Sequence, residues 1–320
     1  MSSAASKIKA TTIEIGRESR TTYIYDRVFS LSTTQSEVFE EVAPFLQSAL
    51  DGEKVCIFAY GQTGSGKTYT MEGPLDDELY IGGQLTEQSG ILPRAGHFIF
   101  KEITRLKSKG YEYTVTCSAL EIYNEELRDL LSATGQDAAL QLTMSGKNET
   151  EIKSLTWIPV HSMEDLLKMI KIASENRRVE KTSSNERSSR SHSIFQIKLA
   201  GESPSSTKKF AGLLNIIDLA GSERASKDAI VAKNDQLMKE ARHINQSLTT
   251  LGRVLTMLAD RRASKKAAIP YRESKLTRVL QNSLQFESKT LMFVNICPSL
   301  ENLGQSKESL RFASTAALAC

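Results

Sequence analysis

Gly61-Gln62-Thr63-Gly64-Ser65-Gly66-Lys67-Thr68 is the stretch that decides the fold of this chain. It follows an apolar run, Val55–Tyr60, which predicts a buried strand. The stretch matches the pattern G-x-x-x-x-G-K-S/T, in which glycines let backbone N–H groups turn towards phosphate oxygens. Lys67 is suited to contact the β- and γ-phosphates, and the Thr68 hydroxyl is suited to ligate Mg²⁺. The sequence therefore predicts that the residues of this loop contact a bound nucleotide.

Two later segments carry the chemistry that such a loop needs. Asn185–His192 is polar and rich in hydroxyl groups, and Asp218–Glu223 follows the apolar run Leu213–Ile217. An acid at the end of a buried strand, followed closely by a glycine, is typical of a Mg²⁺ site with a γ-phosphate sensor. We expect all three segments to face the same nucleotide.

Together these segments resemble the nucleotide-binding pattern of the kinesin motor domain family. The resemblance runs from about Tyr23 to Cys320 and includes Tyr25–Phe29, Glu121–Glu125 and Ile269–Thr277. It implies an α/β P-loop NTPase fold, with a central mixed, mostly parallel sheet flanked by helices on both faces. We expect a single motor domain over residues 1–320.

The resemblance also assigns roles in a Mg-ATPase that binds ATP or ADP. Ser189 is expected to join Thr68 as a Mg²⁺ ligand, while Asp218 holds the ion through water. Gly221 offers its N–H to the γ-phosphate. Closure brings Ser188 and Ser189 to the site, and an Arg190–Glu223 salt bridge encloses the attacking water. Tyr69 is expected near the adenine, and Asn185 is counted among the nucleotide contacts.

The second expected function is binding to microtubules through tubulin. Family resemblance places this contact between Lys227 and Arg278, where basic residues are concentrated although the net charge is only +3. The residues assigned to it are Lys239, Arg242, Asn245, Arg272, Lys275 and Arg278. The last three basic residues are spaced three apart, which predicts one helical face. Aromatic residues are not interleaved with these charges, so we expect no nucleic-acid partner.

Composition excludes several other classes of protein. Hydrophobic residues make up 40% and charged residues 25% of the chain, which is ordinary for a globular protein. No apolar stretch is long enough to cross a bilayer, and Met1–Ser6 lacks the apolar region of a secretory signal. The four cysteines form no CxxC pair, which favours buried thiols. We expect a cytoplasmic protein on the cytoskeleton, in a spindle or microtubule array, with any dimer formed through regions outside this chain.

Several departures from the family pattern stand out. Kinesins usually carry Asn-Ile-Asn-Lys-Ser where this chain has His243-Ile244-Asn245-Gln246-Ser247. This difference could weaken the affinity for microtubules, which are the track of the motor, or alter the coupling of that affinity to the nucleotide site. No Arg-x-Arg-Pro strand precedes Thr11, although such a strand normally supplies part of the adenine pocket. The sequence therefore predicts either a truncated chain or an unpaired position inside the sheet with a half-open adenine site.

The local patterns also predict individual elements and a subfamily. The main helices are expected over Gln35–Leu50, Asn124–Leu131, Met163–Asn176, Gln236–Ala259 and Ser306–Ala319. Leu291–Ile296 and Ser309–Ser314 most resemble the C-terminal-motor, minus-end-directed kinesins. The direction of movement is not readable, because the neck that sets it would lie upstream.

Three alternative functions are weaker or remain open. A GTPase normally carries an Asn/Thr-Lys-x-Asp guanine reader, which this sequence lacks. A small-molecule kinase would leave Asn185–His192 and Asp218–Glu223 unexplained. A kinesin-like protein that binds microtubules without turnover remains open because of the missing first strand. ATPase activity measured with and without microtubules separates these functions.

Overall fold

A computed structural model describes residues 11–15, 21–74, 80–81, 84–132, 140–144, 149–178, 189–203, 209–223, 235–263, 268–285 and 288–317. Its strands are β1 (Thr12–Ile15), β2 (Thr21–Ile24), β3 (Lys54–Gly61), β4 (Tyr80–Ile81), β5 (Gln84–Leu85), β6 (Glu112–Tyr123), β7 (Glu126–Asp129), β8 (Gln141–Met144), β9 (Thr150–Lys153), β10 (Ile158–Pro159), β11 (Ser191–Glu202), β12 (Lys209–Asp218) and β13 (Ser288–Asn295). Its helices are α1 (Gln35–Glu40), α2 (Ala43–Leu50), α3 (Lys67–Met71), α4 (Ile91–Lys107), α5 (Met163–Arg178), α6 (Asp235–Ala263), α7 (Lys275–Leu280) and α8 (Leu303–Ala317). Short 3₁₀ turns occupy Tyr271–Glu273, Gln281–Ser283 and Leu300–Asn302.

One mixed sheet forms the centre of the fold, in the order β10-β6-β11-β12-β3-β13, with β7 also paired to β6. This mixture of parallel and antiparallel strands confirms the predicted fold class. The balance differs from the expectation, because the parallel pairs among the described strands are those that β3 forms with β12 and β13. The pairs among β6, β7, β10, β11 and β12 are antiparallel. Short connections such as the one joining β11 to β12 bring consecutive strands together in opposite directions.

Helices cover both faces of this sheet, and alternate residues of β3 show how the two layers are divided. Ile57 packs in a cluster with side chains of α2, α4 and α5. Phe58 points the other way and packs in a second cluster with α6 and α7. Because successive side chains of a strand face opposite sides, a continuous apolar run fills both layers. No helix within the described ranges is long and apolar enough to span a membrane.

β13 lies at the end of the sheet rather than beside a gap. Its residues pair in parallel with β3, from Ser288 with Lys54 to Asn295 with Gly61. Among the described residues, no strand pairs with the other edge of β13. The predicted unpaired position inside the sheet is therefore not observed, because the described strands form an unbroken series. Met1–Ala10, which the sequence predicts to be too polar for a buried strand, lies outside the described residues.

Two predicted helices differ in the structure. The helix expected over Gln35–Leu50 is interrupted after Glu40, and α2 starts with Pro44 in its first turn. Proline has no N–H for a continuing helix but fits a helix start. The helix expected over Asn124–Leu131 is instead the hairpin partner of β6. Asn124 and Glu125 have φ of 53° and 60°, as a two-residue hairpin turn requires.

Candidate nucleotide and track site

The P-loop joins the end of β3 to the start of α3. Gly64 and Gly66 have φ of 77° and 97°, a left-handed backbone that favours glycine. A Cβ atom at Gly61 would lie 2.1 Å from the carbonyl oxygen of Asn295, so β13 packs directly against the start of the loop. The Gln62 amide donates to Asn302 Oδ1 at 2.9 Å, which ties the loop to the turn before α8. These contacts hold the loop in a conformation whose N–H groups can donate hydrogen bonds to phosphate oxygens.

Lys67 is the buried cation of this loop. Its Nζ donates to the carbonyl oxygen of Gln62 at 2.9 Å. Burial lowers the pKa of the Lys67 ammonium, and the carboxylates of Asp218 and Glu223 oppose that shift. The side chain is thus a poorly hydrated positive charge beside the loop, which strengthens its attraction for phosphate.

Thr68 and Asp218 form the candidate metal position. Thr68 Oγ1 donates to Asp218 Oδ2 at 2.7 Å, which brings the first turn of α3 to the end of β12. Asp218 is buried, and its Oδ1 has no hydrogen-bond partner among the described residues. Oxygen donors of this kind suit Mg²⁺, which keeps several waters and takes few protein ligands. The residues present therefore fit the expected ion.

Arg177, which the sequence analysis did not single out, forms a buried salt bridge with Asp218. Its Nη1 lies 2.8 Å from Asp218 Oδ2, and its Nη2 donates to the Ser191 carbonyl at 3.2 Å. Glu72 Oε1, at the end of α3, lies 4.0 Å from the same guanidinium. Burial by itself lowers the pKa of Arg177, but Asp218 and Glu72 reverse this and raise it overall. Burial raises the pKa of Glu72, against the effect of Arg177.

A sequence signal for Arg177 exists. The apolar face of α5 runs through Met163, Leu166, Ile170 and Ala173, and Arg177 continues the same face. An arginine on the buried face of a helix needs an anionic partner, since an unpaired buried charge is strongly destabilising. That rule points to Arg177 without naming its partner.

The predicted phosphate sensor contacts both other nucleotide segments. Gly221 N donates to the Ser189 carbonyl at 2.8 Å, and Ser222 N donates to the Gly61 carbonyl at 3.0 Å. A Cβ atom at Gly221 would lie 2.4 Å from Thr63 Oγ1, so this close approach requires glycine. The N–H assigned to the γ-phosphate is bonded to Ser189 in this conformation.

The predicted Arg190–Glu223 salt bridge is not formed. Glu223 accepts hydrogen bonds from Thr63, through the backbone N at 2.8 Å and through the hydroxyl. Arg190 Nη1 instead lies 3.0 Å from Glu240 Oε2 on α6, and Tyr123 donates to the other oxygen of Glu240 at 2.6 Å. Sequence reasoning missed Glu240, although it lies on the buried side of α6 like Ser247 and Leu251. Each member of the predicted pair therefore has a different, nearby partner.

The structure places the other nucleotide candidates as follows. Tyr69 is exposed on α3, and its carbonyl accepts a hydrogen bond of 2.7 Å from the Gln35 amide. Ser65 is half-buried and donates to the Gln62 carbonyl at 2.8 Å. Asn185 and Ser188 lie outside the described residues. The loop, Ser189, Arg190 and Asp218–Glu223 are thus brought together, as the sequence predicts.

The candidate track residues lie on the opposite side of the sheet from α4 and α5. Arg242 is exposed and Asn245 half-buried on α6, whereas the side chain of Lys239 lies outside the described part. Gln246, which replaces the usual lysine, donates to the Glu273 carbonyl at 3.2 Å. Glu273 also pairs with Arg253 through both guanidinium nitrogens. These contacts join α6 to the turn before α7.

Arg272, Lys275 and Arg278 do not form the predicted single helical face. Arg272 belongs to the separate 3₁₀ turn, because α7 begins only at Lys275. Arg272 is exposed and Lys275 half-buried. Arg278 donates to the Leu142 carbonyl at 2.8 Å and so holds the β8–β9 hairpin. Its guanidinium has a structural bond, which makes it a poor candidate for a purely electrostatic contact.

α7 is held in place from three directions. The Glu125 carboxylate accepts from Lys275 N at 2.7 Å at the start of the helix. After the helix, Asn282 exchanges hydrogen bonds of 2.9 and 2.7 Å with the backbone of Thr150. Ser283 accepts from Asn215 at 2.7 Å, at the end of a buried amide chain that crosses the sheet. These hydrogen bonds therefore fix α7, which carries Lys275 and Arg278, against the sheet and the β8–β9 hairpin.

A phosphate-binding loop and an acid with an unpartnered oxygen, on a mixed sheet covered by helices, define a P-loop nucleotide-binding protein. The profile of the family described as kinesin motor domain matches residues 2–318. The chain therefore belongs to the kinesin motor domain family.

Individual relatives refine this result. Carboxy-terminal kinesin 2 of Xenopus laevis is 48% identical over 309 residues, covering 94% of this chain and 46% of that protein. The motor domain of kinesin-like protein Kar3 from Saccharomyces cerevisiae has a TM-score of 0.79 at 37% identity, covering 98% of this chain and 96% of that one. The C-terminal motor and motor homology domain of Kar3Vik1, fused to a synthetic heterodimeric coiled coil, has a TM-score of 0.81 at 39% identity. That match covers 95% of this chain and 75% of the other. The chain spans less than half the length of the curated relatives it matches.

Proposed function

We propose that this chain is a microtubule-stimulated Mg-ATPase that converts ATP hydrolysis into force or movement on the microtubule. The observation that carries the proposal is the position of Thr68 Oγ1, 2.7 Å from Asp218 Oδ2, together with an Asp218 Oδ1 to which no described residue donates a hydrogen bond. This arrangement leaves an oxygen-lined position next to the P-loop. Membership of the kinesin family supports the choice of ATP as the nucleotide and tubulin as the partner.

The residues of the chain divide the work of phosphoryl transfer. Lys67 and the loop N–H groups bind the phosphates, and Arg177 orients the carboxylate of Asp218. Thr68 and Ser189 are the proposed hydroxyl ligands, with Asp218 acting through water. When bound, Mg²⁺ neutralises charge that develops on the phosphate oxygens. Gly221 detects the γ-phosphate, and Arg190 with Glu223, joined by Ser188, closes around the attacking water.

The remaining assignments follow from the same family. Tyr69 and Asn185 are proposed contacts on the base and phosphate sides of ATP or ADP. Arg242, Asn245, Arg272 and Lys275, with Lys239, are the proposed tubulin contacts, and Arg278 supports them by holding β8–β9. Similarity to C-terminal kinesins favours minus-end-directed movement, a place on spindle or other microtubule arrays, and dimerisation through regions outside this chain.

A second candidate function is a kinesin-like protein that binds microtubules without turnover. Two observations favour it: Arg190 is paired with Glu240 rather than Glu223, and β13 has an open edge in the described sheet. Such a protein would co-sediment with microtubules but show no stimulated hydrolysis.

ATPase activity with and without microtubules separates the two functions. We expect hydrolysis that rises on adding microtubules, and Lys67→Ala should lower it by ~10²-fold or more, because one preorganised charge is lost. The exposed Lys289→Ala, on β13 at the end remote from the loop, serves as a control for loss of a lysine. Binding without stimulated hydrolysis would support the second candidate. Hydrolysis unaffected by Lys67→Ala would refute the nucleotide site.

A further inference from the structure

His192 is buried between the nucleotide loops and α6, the helix that carries the candidate tubulin contacts Arg242 and Asn245. It is the second residue of β11, two positions beyond Arg190. Its Nδ1 accepts a hydrogen bond from the backbone N of Ala220 at 3.0 Å. Its Nε2 lies 2.8 Å from Ser247 Oγ on α6. One imidazole therefore contacts the loop after β12 and the long helix at the same time.

The hydrogen-bond directions fix the form of this imidazole. The backbone N of Ala220 can only donate, so Nδ1 carries no proton. A neutral ring then carries its proton on Nε2 and donates to Ser247 Oγ, and Ser247 donates onward to the Ile244 carbonyl at 2.8 Å. Burial, with Arg177 and Lys67 nearby, lowers the pKa of His192 to about 3, which agrees with a neutral ring.

The hydrogen bonds through His192 run from Ala220 to Ile244, and both of these residues lie next to residues with a role in the proposed function. Ala220 directly precedes Gly221, whose N–H is bonded to Ser189 and is the proposed sensor of the γ-phosphate. Ile244 lies between Arg242 and Asn245, two proposed tubulin contacts. A movement of the loop that follows Asp218 therefore changes the hydrogen bond that Ala220 N donates to His192 Nδ1, and the same ring carries that change to α6.

We propose that His192 is a positioning residue that couples the phosphate-sensing loop to the track-binding helix through Ala220 and Ser247. The inference rests on the proposed function and adds a residue to it. An apolar side chain at this position would fill the space but leave the buried Ala220 N–H without its acceptor. The ring instead makes the position of α6 depend on the position of the loop. Ser247 is the receiving group on the helix.

The test measures microtubule affinity in two nucleotide conditions, with ADP and with a non-hydrolysable ATP analogue. Ser247→Ala removes the acceptor of His192 without touching the nucleotide site. We expect ATPase without microtubules to stay within ~2-fold, and the ratio of the two affinities to fall by about 5-fold or more towards one. Ser247→Thr keeps the hydroxyl and should restore the ratio.

Thr256→Val is the matched control, because Thr256 lies on the same helix and its hydroxyl donates to the Gly252 carbonyl of that helix. It should leave the affinity ratio unchanged. His192→Gln provides a second route if Ser247→Ala does not fold, and the double variant should be no worse than His192→Gln alone. A wild-type ratio in Ser247→Ala, or additive effects in the double variant, would overturn the inference. Absence of microtubule-stimulated hydrolysis in the unaltered chain would instead overturn the proposed function.

Discussion

Arg190 pairs with Glu240 in the structure, and not with Glu223 as the sequence predicts. Glu240 is buried, accepts from Tyr123 and lies on α6, so its position depends on that helix. Glu223, the expected partner, is bonded to Thr63. The pairing of Arg190 can therefore report the position of α6 to the nucleotide site.

Glu240→Gln should shift Arg190 towards Glu223. The substitution keeps the shape of the side chain but removes the charge that attracts the guanidinium at 3.0 Å. A pair of this kind contributes about 1 kcal/mol, so we expect ATPase without microtubules to rise several-fold, up to ~10-fold. Tyr123→Phe is the control that removes the phenol donor and keeps the carboxylate. Lower or unchanged ATPase in Glu240→Gln would show that Glu240 does not compete for Arg190.

His192 makes folding stability depend on pH. Its pKa is about 3 in the folded chain, against an ordinary value of 6.5. The unfolded chain therefore binds a proton below pH 6.5 that the folded chain does not bind, and stability falls as the pH drops from 6.5 towards 3. Well below pH 6.5 the loss approaches ~1.4 kcal/mol for each pH unit.

Urea unfolding at pH 7.5, 6.5 and 5.5 measures this dependence. The unaltered chain should lose ~1 kcal/mol more than His192→Gln between the two lower pH values, because the unfolded imidazole is already half protonated at pH 6.5. This window lies above the range in which ordinary carboxylates titrate. The comparison also removes the contribution of His97, His161 and His243, which both chains share. Equal losses in the two chains would mean that His192 is not held neutral.

Among the basic residues around α7, Arg272 and Lys275 are proposed tubulin contacts, whereas Arg278 holds the β8–β9 hairpin. Arg272→Gln with Lys275→Gln should weaken microtubule binding and flatten its salt dependence, because charge contacts at a surface are screened over ~10 Å at moderate salt. Arg278→Gln should instead lower the free energy of unfolding by ~2 kcal/mol, since it removes a charge-assisted bond to Leu142. Co-sedimentation over a salt series and urea unfolding check the two effects. Equal loss of affinity in both variants, with equal stability, would contradict the separation.

The outer edge of β13, with which no strand of the described ranges pairs, leads to a second prediction. A strand ending in Arg-x-Arg-Pro, added ahead of Thr11, should pair with β13 and cover half-buried side chains such as Leu291 and Met292. Each new hydrogen bond adds ~1 kcal/mol, so melting temperature should rise, ATP should bind more tightly and amide exchange in β13 should slow. A glycine–serine extension of equal length is the control. Unchanged melting and exchange would show that another segment already covers this edge.

The elements also show how far sequence patterns reach. Val55–Tyr60 and the P-loop were predictable, because an apolar run and a glycine pattern depend only on neighbours along the chain. The helix predicted over Asn124–Leu131 was wrong, because the left-handed turn and the pairing with β6 override its helix-forming residues. The edge position of β13 depends on strand order, which no local pattern contains.

In the candidate site, too, the residues within local motifs were predictable, whereas those defined by distant partners were not. Lys67, Thr68 and Asp218 carry motifs and were found, and the structure brings them together. Arg177, Glu240 and the contacts of His192 were missed, because their partners lie 41, 50 and 55 positions away along the chain. Such pairs are set by the packing of α5 and α6 against the sheet. An inward-facing charged residue shows that a partner must exist but does not identify it.

At the scale of the whole molecule, nucleotide and track candidates lie at different places on one sheet. The P-loop and Asp218 are at strand ends, and Arg242 and Lys275 are on helices packed against one face. Contacts through Arg190–Glu240 and His192–Ser247 link the two. A protein built in this way should bind its track differently when the γ-phosphate is present.

The most direct test of this account is the microtubule dissociation constant measured with ADP and with a non-hydrolysable ATP analogue. Coupling between two sites typically changes affinity 5- to 150-fold, and we expect binding with the ATP analogue to be tighter by about 10-fold. Lys67→Ala should abolish the difference, because it cannot hold the phosphates that distinguish the two states. Equal dissociation constants in the unaltered chain, with both nucleotides bound, would contradict the account.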